Sequence, residues 1–270
     1  ALSFAANKRE EAMTDAPLFA IAGLSFAYGS TPVLQDISLS LSPGKFYGIV
    51  GPNGCGKTTF LDLLTGCKQP RTGNISYCGK NLYAYDNREL ARQLALVPQE
   101  FDTGFGFTVE EIVLMGRHPH IDRFANPSEL DWQAVDRAMA AIGIGDLRSR
   151  YTNTLSGGQK QRVVVARALA QDTPVLLFDE ATSSLDVKYT LQIFNLARRL
   201  VREEGRTIIA VIHNLNLAAA YCDYLIFMKD GQLQQHGPTA ETMTAATIAE
   251  VFDVQAQVTI DPYNQAHQVS

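Results

Sequence analysis

The chain has 270 residues, 46% hydrophobic and 19% charged, with a formal net charge of −5. That composition belongs to a folded globular protein long enough to bury its own core, and it excludes disordered and collagen-like chains. With 28 acidic residues against 23 basic ones there is no basic field for nucleic acid to settle on, so no nucleic-acid partner is expected. The four cysteines, Cys55, Cys67, Cys78 and Cys222, form no C-x-x-C pair, which points to neither a zinc site nor a disulfide framework and suits a reducing compartment. The most apolar stretch, residues 207–228, is broken by His213, Asn214, Asn216 and Asp223 and is not expected to span a bilayer. The first dozen residues lack the basic start and apolar core of a signal peptide. Met13 suits a natural start, and residues 1–12 are expected to be a disordered or appended extension.

In chain order, residues 18–50 alternate apolar and polar side chains and are punctuated by Tyr28-Gly29-Ser30 and Pro43-Gly44, which predicts short antiparallel strands. Residues 46–50 predict a buried strand, followed by a glycine-rich loop and a helix over 58–64. From 101 to 151 the spacing becomes helical, over 109–115 and 130–142, and this stretch carries the single tryptophan, Trp132. An inserted helical subdomain over about 100–155 is expected. Beyond it come a helix over 157–170, a buried strand over 174–178, an amphipathic helix over 188–204 and another buried strand over 207–212. Such alternation implies a parallel sheet covered by helices. Residues 224–229 and 232–236 flank Asp230-Gly231, whose composition predicts a type I′ hairpin turn. The tail adds a short helix over 244–251 and a polar end.

Gly51-Pro52-Asn53-Gly54-Cys55-Gly56-Lys57-Thr58 fits G-x-x-x-x-G-K-[ST] between a predicted strand and a predicted helix, the context this phosphate-binding loop requires. Its glycines let successive N–H groups face one concavity, and the positive end of the helix dipole adds to it; Thr59 continues the helix. Lys57 can reach the β- and γ-phosphates of a nucleotide, and the Thr58 hydroxyl can ligate Mg²⁺. Cys55 reads as a small filler or a redox-sensitive thiol on this loop. Val175-Leu176-Leu177-Phe178-Asp179-Glu180 is an apolar strand that delivers two carboxylates to a sheet edge. Asp179 would hold Mg²⁺ through water, and Glu180 would orient the attacking water, because γ-phosphate hydrolysis rests on positioning and electrostatics.

Leu155-Ser156-Gly157-Gly158-Gln159 stands about 100 residues after the phosphate loop and directly before a predicted helix, and here the chain resembles the nucleotide-binding subunit of ABC transporters. The resemblance runs from Leu18 to about Val254, and residues 18–261 are taken as one such domain. It implies an α/β fold of the P-loop NTPase type: a RecA-like parallel-sheet core, an N-terminal antiparallel β subdomain and the inserted helical subdomain. It further implies an ATPase that binds ATP and Mg²⁺ and works as a homodimer, with Ser156, Gly157, Gly158 and Gln159 of one subunit on the γ-phosphate held by the other. By the same resemblance Tyr28 would stack on adenine and Gln99 would touch Mg²⁺ and the helical subdomain. Ser184-Leu185-Asp186 would cross the dimer interface, and His213, 33 residues after Glu180, would bind the γ-phosphate and hold the attacking water. Ala181 and Asn214 depart from the proline and aspartate that many iron-chelate relatives carry.

Gly116-Arg117-His118-Pro119-His120 and the segment Leu215-Asn216-Leu217-Ala218-Ala219-Ala220-Tyr221-Cys222-Asp223 resemble ATPases that import iron–siderophore complexes, haem and cobalamin. The implied partners are a separate permease, whose coupling helix a rigid Gly-Arg socket would receive, and indirectly a periplasmic or lipoprotein substrate-binding protein. The implied location is the cytoplasmic face of the inner membrane. An importer ATPase for an oxyanion such as molybdate, a soluble iron–sulfur cluster assembly ATPase and a DNA-linked clamp ATPase are the alternatives. The last requires coiled-coil arms that the spacing leaves no room for.

Overall fold

The computed structural model describes residues 16–99, 101, 106–181, 185–262 and 265–270. Residues 1–12, Met13 and Ser184 lie outside them.

Strands β1 (Phe19–Tyr28) and β2 (Thr31–Leu41) pair antiparallel through the Gly29-Ser30 turn. With β4 (Thr72–Tyr77) and β5 (Lys80–Asn81) they form a four-stranded sheet in the order β2-β1-β4-β5. The second sheet has six strands. It contains β3 (Phe46–Val50), β6 (Leu94–Val97), β7 (Val175–Asp179), β8 (Thr207–Val211), β9 (Tyr224–Lys229) and β10 (Gln232–Pro238), in the order β10-β9-β3-β8-β7-β6. Its strands from β9 to β6 are parallel, and β10 returns antiparallel along one edge. Both residues of the β9–β10 turn take positive φ, Asp230 at 50° and Gly231 at 76°, as the expected type I′ geometry demands.

Every residue of β3, β7 and β8 is buried, the mark of strands covered on both faces. Their side chains alternate between two cores. Val175, Leu177, Ile209 and Val211 face the antiparallel sheet and α1 (Lys57–Leu64), packing with Phe19, Leu34, Ile49 and Phe60. Leu176, Phe178, Ile208 and Ala210 face the remaining helices.

Those helices are α3 (Val109–Met115), α4 (Glu129–Ile142), α5 (Gly157–Ala170), α6 (Val187–Glu204), α7 (Leu215–Tyr221), α8 (Thr239–Thr242) and α9 (Ala245–Phe252), whereas α2 (Asn87–Ala91), which leads into β6, places its buried Leu90 in the first core. Thr108, Ser128 and Ser156 each close a capping box with the third residue of α3, α4 and α5. Val109, Ile112, Val113, Val135, Met139 and Val163 bind the helical segment into the same core as the sheet.

β4, β5, α2 and β6 are not foreshadowed by the sequence pattern, nor is the structure of the tail. The polar end is a hairpin of β11 (Val258–Ile260) and β12 (His267–Val269). No helix among the described residues is long and apolar enough to cross a membrane. The apolar 207–228 stretch is β8, α7 and most of β9.

Candidate functional site

The loop between β3 and α1 lies at the carboxyl end of the parallel sheet, where the adjoining β8 and, beyond it, β7 also end. Two glycines are dictated by geometry. A Cβ on Gly51 would sit 2.1 Å from the Met228 carbonyl oxygen, and Gly56 takes φ 98°, a left-handed conformation that side chains resist. Gly56 is also the residue preceding α1, and no side chain caps that helix. Lys57 is buried, with Nζ donating to the carbonyls of Gly51 (2.9 Å) and Pro52 (2.7 Å). Cys55 is buried too, and burial pushes its thiol pKa up, away from a reactive thiolate.

The loop walls an open pocket of about 390 Å³ lined by Val33, Asn53, Gly54, Gly56, Lys57, Thr58, Thr59, Gln99, Glu180 and His213. The Thr58 hydroxyl donates to Asp179 Oδ1 at 3.0 Å. Burial is the first cause that raises the Asp179 carboxyl pKa, partly offset by the Thr58 hydrogen bond. Glu180 is gripped from both sides. Gln99 Nε2 donates to its Oε2 at 2.8 Å, and His213 Nε2 lies 2.6 Å from its Oε1. Its backbone sits at φ 50°, a conformation costing a non-glycine residue about 1 kcal/mol, so the surrounding structure holds it there.

Three sequence-distant segments therefore meet at the phosphate loop: Gln99 after β6, Asp179 and Glu180 at the end of β7, and His213 after β8. The donor set, a hydroxyl beside a carboxylate and an amide, consists of hard groups suited to Mg²⁺. Among the described residues no three His, Cys, Asp or Glu side chains cluster as a softer metal would require.

Other expected site residues stand apart from this pocket. Tyr28 is 51% exposed at the end of β1, its ring edge-on to Phe26 with Lys68 Nζ 5.6 Å from its centroid. Ser156 and Gln159 satisfy one another at the start of α5, while Gly157 has open space around it and Gly158 follows it in the helix. Asp186 caps α6 through Tyr189 N at 3.0 Å. Asn214 caps α7 by accepting from Leu217 N at 3.1 Å, which an aspartate oxygen would do equally, so this departure from the family pattern is structurally neutral. Ala181 is buried in the helix-side core.

Gly116-Arg117-His118-Pro119-His120, the segment expected to form a rigid Gly-Arg socket, is largely turned into the protein. Arg117 is buried, paired with Asp131 at 3.0 Å and donating to the Ala170 carbonyl. Arg88 and Arg92 both donate to the Pro119 carbonyl, and His120 Nε2 meets the Gln171 carbonyl at 2.8 Å. These bonds tie α2, α4 and the end of α5 together, and only His118 of the five is exposed. Tertiary partners far along the chain turned the other side chains inward, which residue order alone does not reveal.

A parallel sheet with a glycine-rich phosphate loop leading into a helix, and two carboxylates at the end of a strand one place beyond its neighbour, defines the P-loop NTPase class of fold. Within it the chain belongs to the ABC transporter family, whose description matches residues 34–183. The cobalamin import ATP-binding protein of Halobacterium salinarum is 40% identical over 93% of the chain, which spans 62% of that relative's length. The iron(3+)-hydroxamate import ATP-binding protein of Bacillus subtilis is 37% identical over 88% of the chain and 89% of its own length. A subunit of a transporter described as of metal-chelate type, solved in an inward-facing conformation, superposes with a TM-score of 0.81 at 28% identity, covering 94% of this chain and 96% of that one. A dimeric ATP-binding cassette bound to ADP and phosphate gives 0.73 at 27% identity over 82% and 98%.

Proposed function

We propose that this chain is the ATP-hydrolysing subunit of an importer that takes up a metal chelate, an iron–siderophore complex, haem or cobalamin, through a separate permease. The observation that carries the hydrolytic role is the placement of Glu180 between Gln99 and His213 at the mouth of the phosphate loop. The cargo class rests on relatives named for import of cobalamin and iron(3+)-hydroxamate.

In this reading Lys57 and the N–H groups of residues 53–59 bind the phosphates, Gly51 and Pro52 shape the loop, and Tyr28 offers its exposed ring to adenine. Thr58, Asp179 and Gln99 would hold Mg²⁺, which supplies positive charge against the phosphate oxygens. Glu180 accepts a hydrogen bond from the attacking water, and His213 fixes the Glu180 carboxylate while presenting its ring to the γ-phosphate. The water oxygen bonds to the γ-phosphorus, the bond to the bridging oxygen breaks, and ADP leaves with that electron pair. Ser156, Gly157, Gly158, Gln159 and Asp186 stand outside the pocket, so a second copy completes it with these residues, two chains enclosing two ATP molecules. We place the homodimer on the cytoplasmic face of a permease pair, with residues 18–261 as one cassette and the helical subdomain, about 100–155, toward the permease. A periplasmic or lipoprotein binding protein acts on the far side of the membrane.

Purification in mild detergent should recover a permease with the chain, and ATP hydrolysis in the reconstituted complex should rise when the binding protein is loaded with one of these chelates. Recovery of soluble partners alone, or stimulation only by an oxyanion, overturns the assignment.

A further inference from the structure

The β11–β12 hairpin has one edge that the rest of its ladder leaves open. Gln257 and Ser270 exchange both backbone hydrogen bonds, at 2.9 and 3.0 Å, so the next pair, Val258 and Val269, is a non-hydrogen-bonded pair. The N–H and C=O of Val269 therefore point away from β11. A single side chain satisfies both: Val269 N donates to Asn216 Oδ1 at 2.7 Å, and Asn216 Nδ2 donates to the Val269 carbonyl at 3.2 Å. The carboxamide takes the place of a third strand's peptide group.

Asn216 lies in the first turn of α7, three residues after His213. A seven-residue helix cannot hold its own position, because helices this short are marginal without tertiary ties. The far end of α7 is tied to α6 by the Tyr221 hydroxyl, which donates to Asn195 Oδ1 at 3.0 Å, and by the contact of the Tyr221 ring with Phe194. At the near end Asn214 caps within the helix. The Asn216–Val269 clip is the one hydrogen-bonded link, among the described residues, from that first turn to another segment. The hairpin is in turn seated on the helix-side core through Val258 and Val269, with Leu215 and Leu217 beside them.

We infer that Asn216 is a positioning residue for hydrolysis: clipped to Val269, it fixes the start of α7 and so holds His213 at the 2.6 Å contact with Glu180. This rests on the hydrolytic reading of Glu180 and His213. Displacement of a catalytic group by about 1 Å costs on the order of a hundredfold in rate. Partial loosening of the clip should therefore lower kcat by about tenfold with little change in nucleotide binding.

The test is steady-state ATP hydrolysis by the full chain together with direct ATP binding and a thermal melt, for Asn216→Ala, Val269→Pro and His213→Ala. Val269→Pro removes the clip's N–H from the hairpin side while leaving the sequence of α7 and the Gln257–Ser270 hydrogen bonds unchanged, so it decides the question should Asn216→Ala not fold. Asn216→Asp, which keeps the acceptor but loses the donor, should fall between the parent and Asn216→Ala. The expected result is a kcat loss in both clip variants, with ATP affinity within about twofold of the parent. If His213→Ala loses turnover but both clip variants keep kcat within about twofold, the positioning role is wrong and the site reading stands. A kcat loss matched by an equal loss of ATP affinity also overturns the role. Full turnover in His213→Ala instead removes the site reading itself.

Discussion

Two helix starts carry nearly the same chemistry, glycines followed by hydroxyl or amide side chains, yet the fold treats them oppositely. At α1 the preceding glycine supplies no cap, and the loop backs onto strands that end together, bringing Gln99, Asp179, Glu180 and His213 to it. At α5 Ser156 and Gln159 close a capping box, and the surroundings of Gly157 are open. An N-terminal dipole is common to both, so the dipole alone makes no catalytic site. In the proposed reading one start gathers the hydrolytic residues of its own chain, and the other is a half-site that becomes useful only against a second copy.

Substitutions can break that contrast, beginning with the largest effect. Glu180→Gln should lower kcat on the order of a hundredfold or more while ATP binding, measured by titration, stays near the parent value. Ordinary turnover in this variant would remove Glu180 from its role. Lys57→Ala should act on binding instead, weakening ATP affinity by roughly 10- to 100-fold through loss of a charged donor; calorimetric titration measures it. At the other helix start, Gly157→Asp places a charge in open space. It should leave the melting temperature and ATP binding by the isolated chain intact, yet cut turnover on the order of tenfold through repulsion of the partner's phosphate. If dimer formation with ATP, read by gel filtration, is unchanged, the half-site idea is wrong.

The smallest effect concerns stability. Burial raises the Asp179 pKa, so its ionised form is penalised in the folded state, and stability is lost as pH rises from the ordinary carboxylate value, about 3.9, through the raised one. Asp179→Asn carries no such charge. It should melt higher than the parent at pH 7, with the gap closing toward pH 3, where the parent carboxyl is also neutral. Melts across that range check the sign, and turnover should fall in the same variant.

Much of this architecture is legible in residue order. The type I′ turn follows from Asp230-Gly231, the phosphate loop from residues 51–58 and the buried strands from runs such as Val175 to Phe178, because each signal resides in contiguous residues. β4 was not legible: only Ile75 and Tyr77 of its six residues are buried, and its pairing with β1 spans about 50 residues. The terminal hairpin was hidden for a similar reason, since an asparagine on a distant helix completes its edge. The burial of Arg117 is not legible either, because its partner Asp131 and the Ala170 carbonyl approach it only in the folded chain.

By itself the sequence determined the phosphate loop, the acidic strand end and the family, since these depend on local backbone conformation and contiguous side chains. Only the tertiary structure decided that Glu180 is held between Gln99 and His213 in a left-handed conformation, that the α5 start stands outside the pocket and that Asn216 clips the terminal hairpin. Each of those depends on groups from separate strands and helices meeting within hydrogen-bond distance, and packing of the whole chain, not local propensity, brings them there.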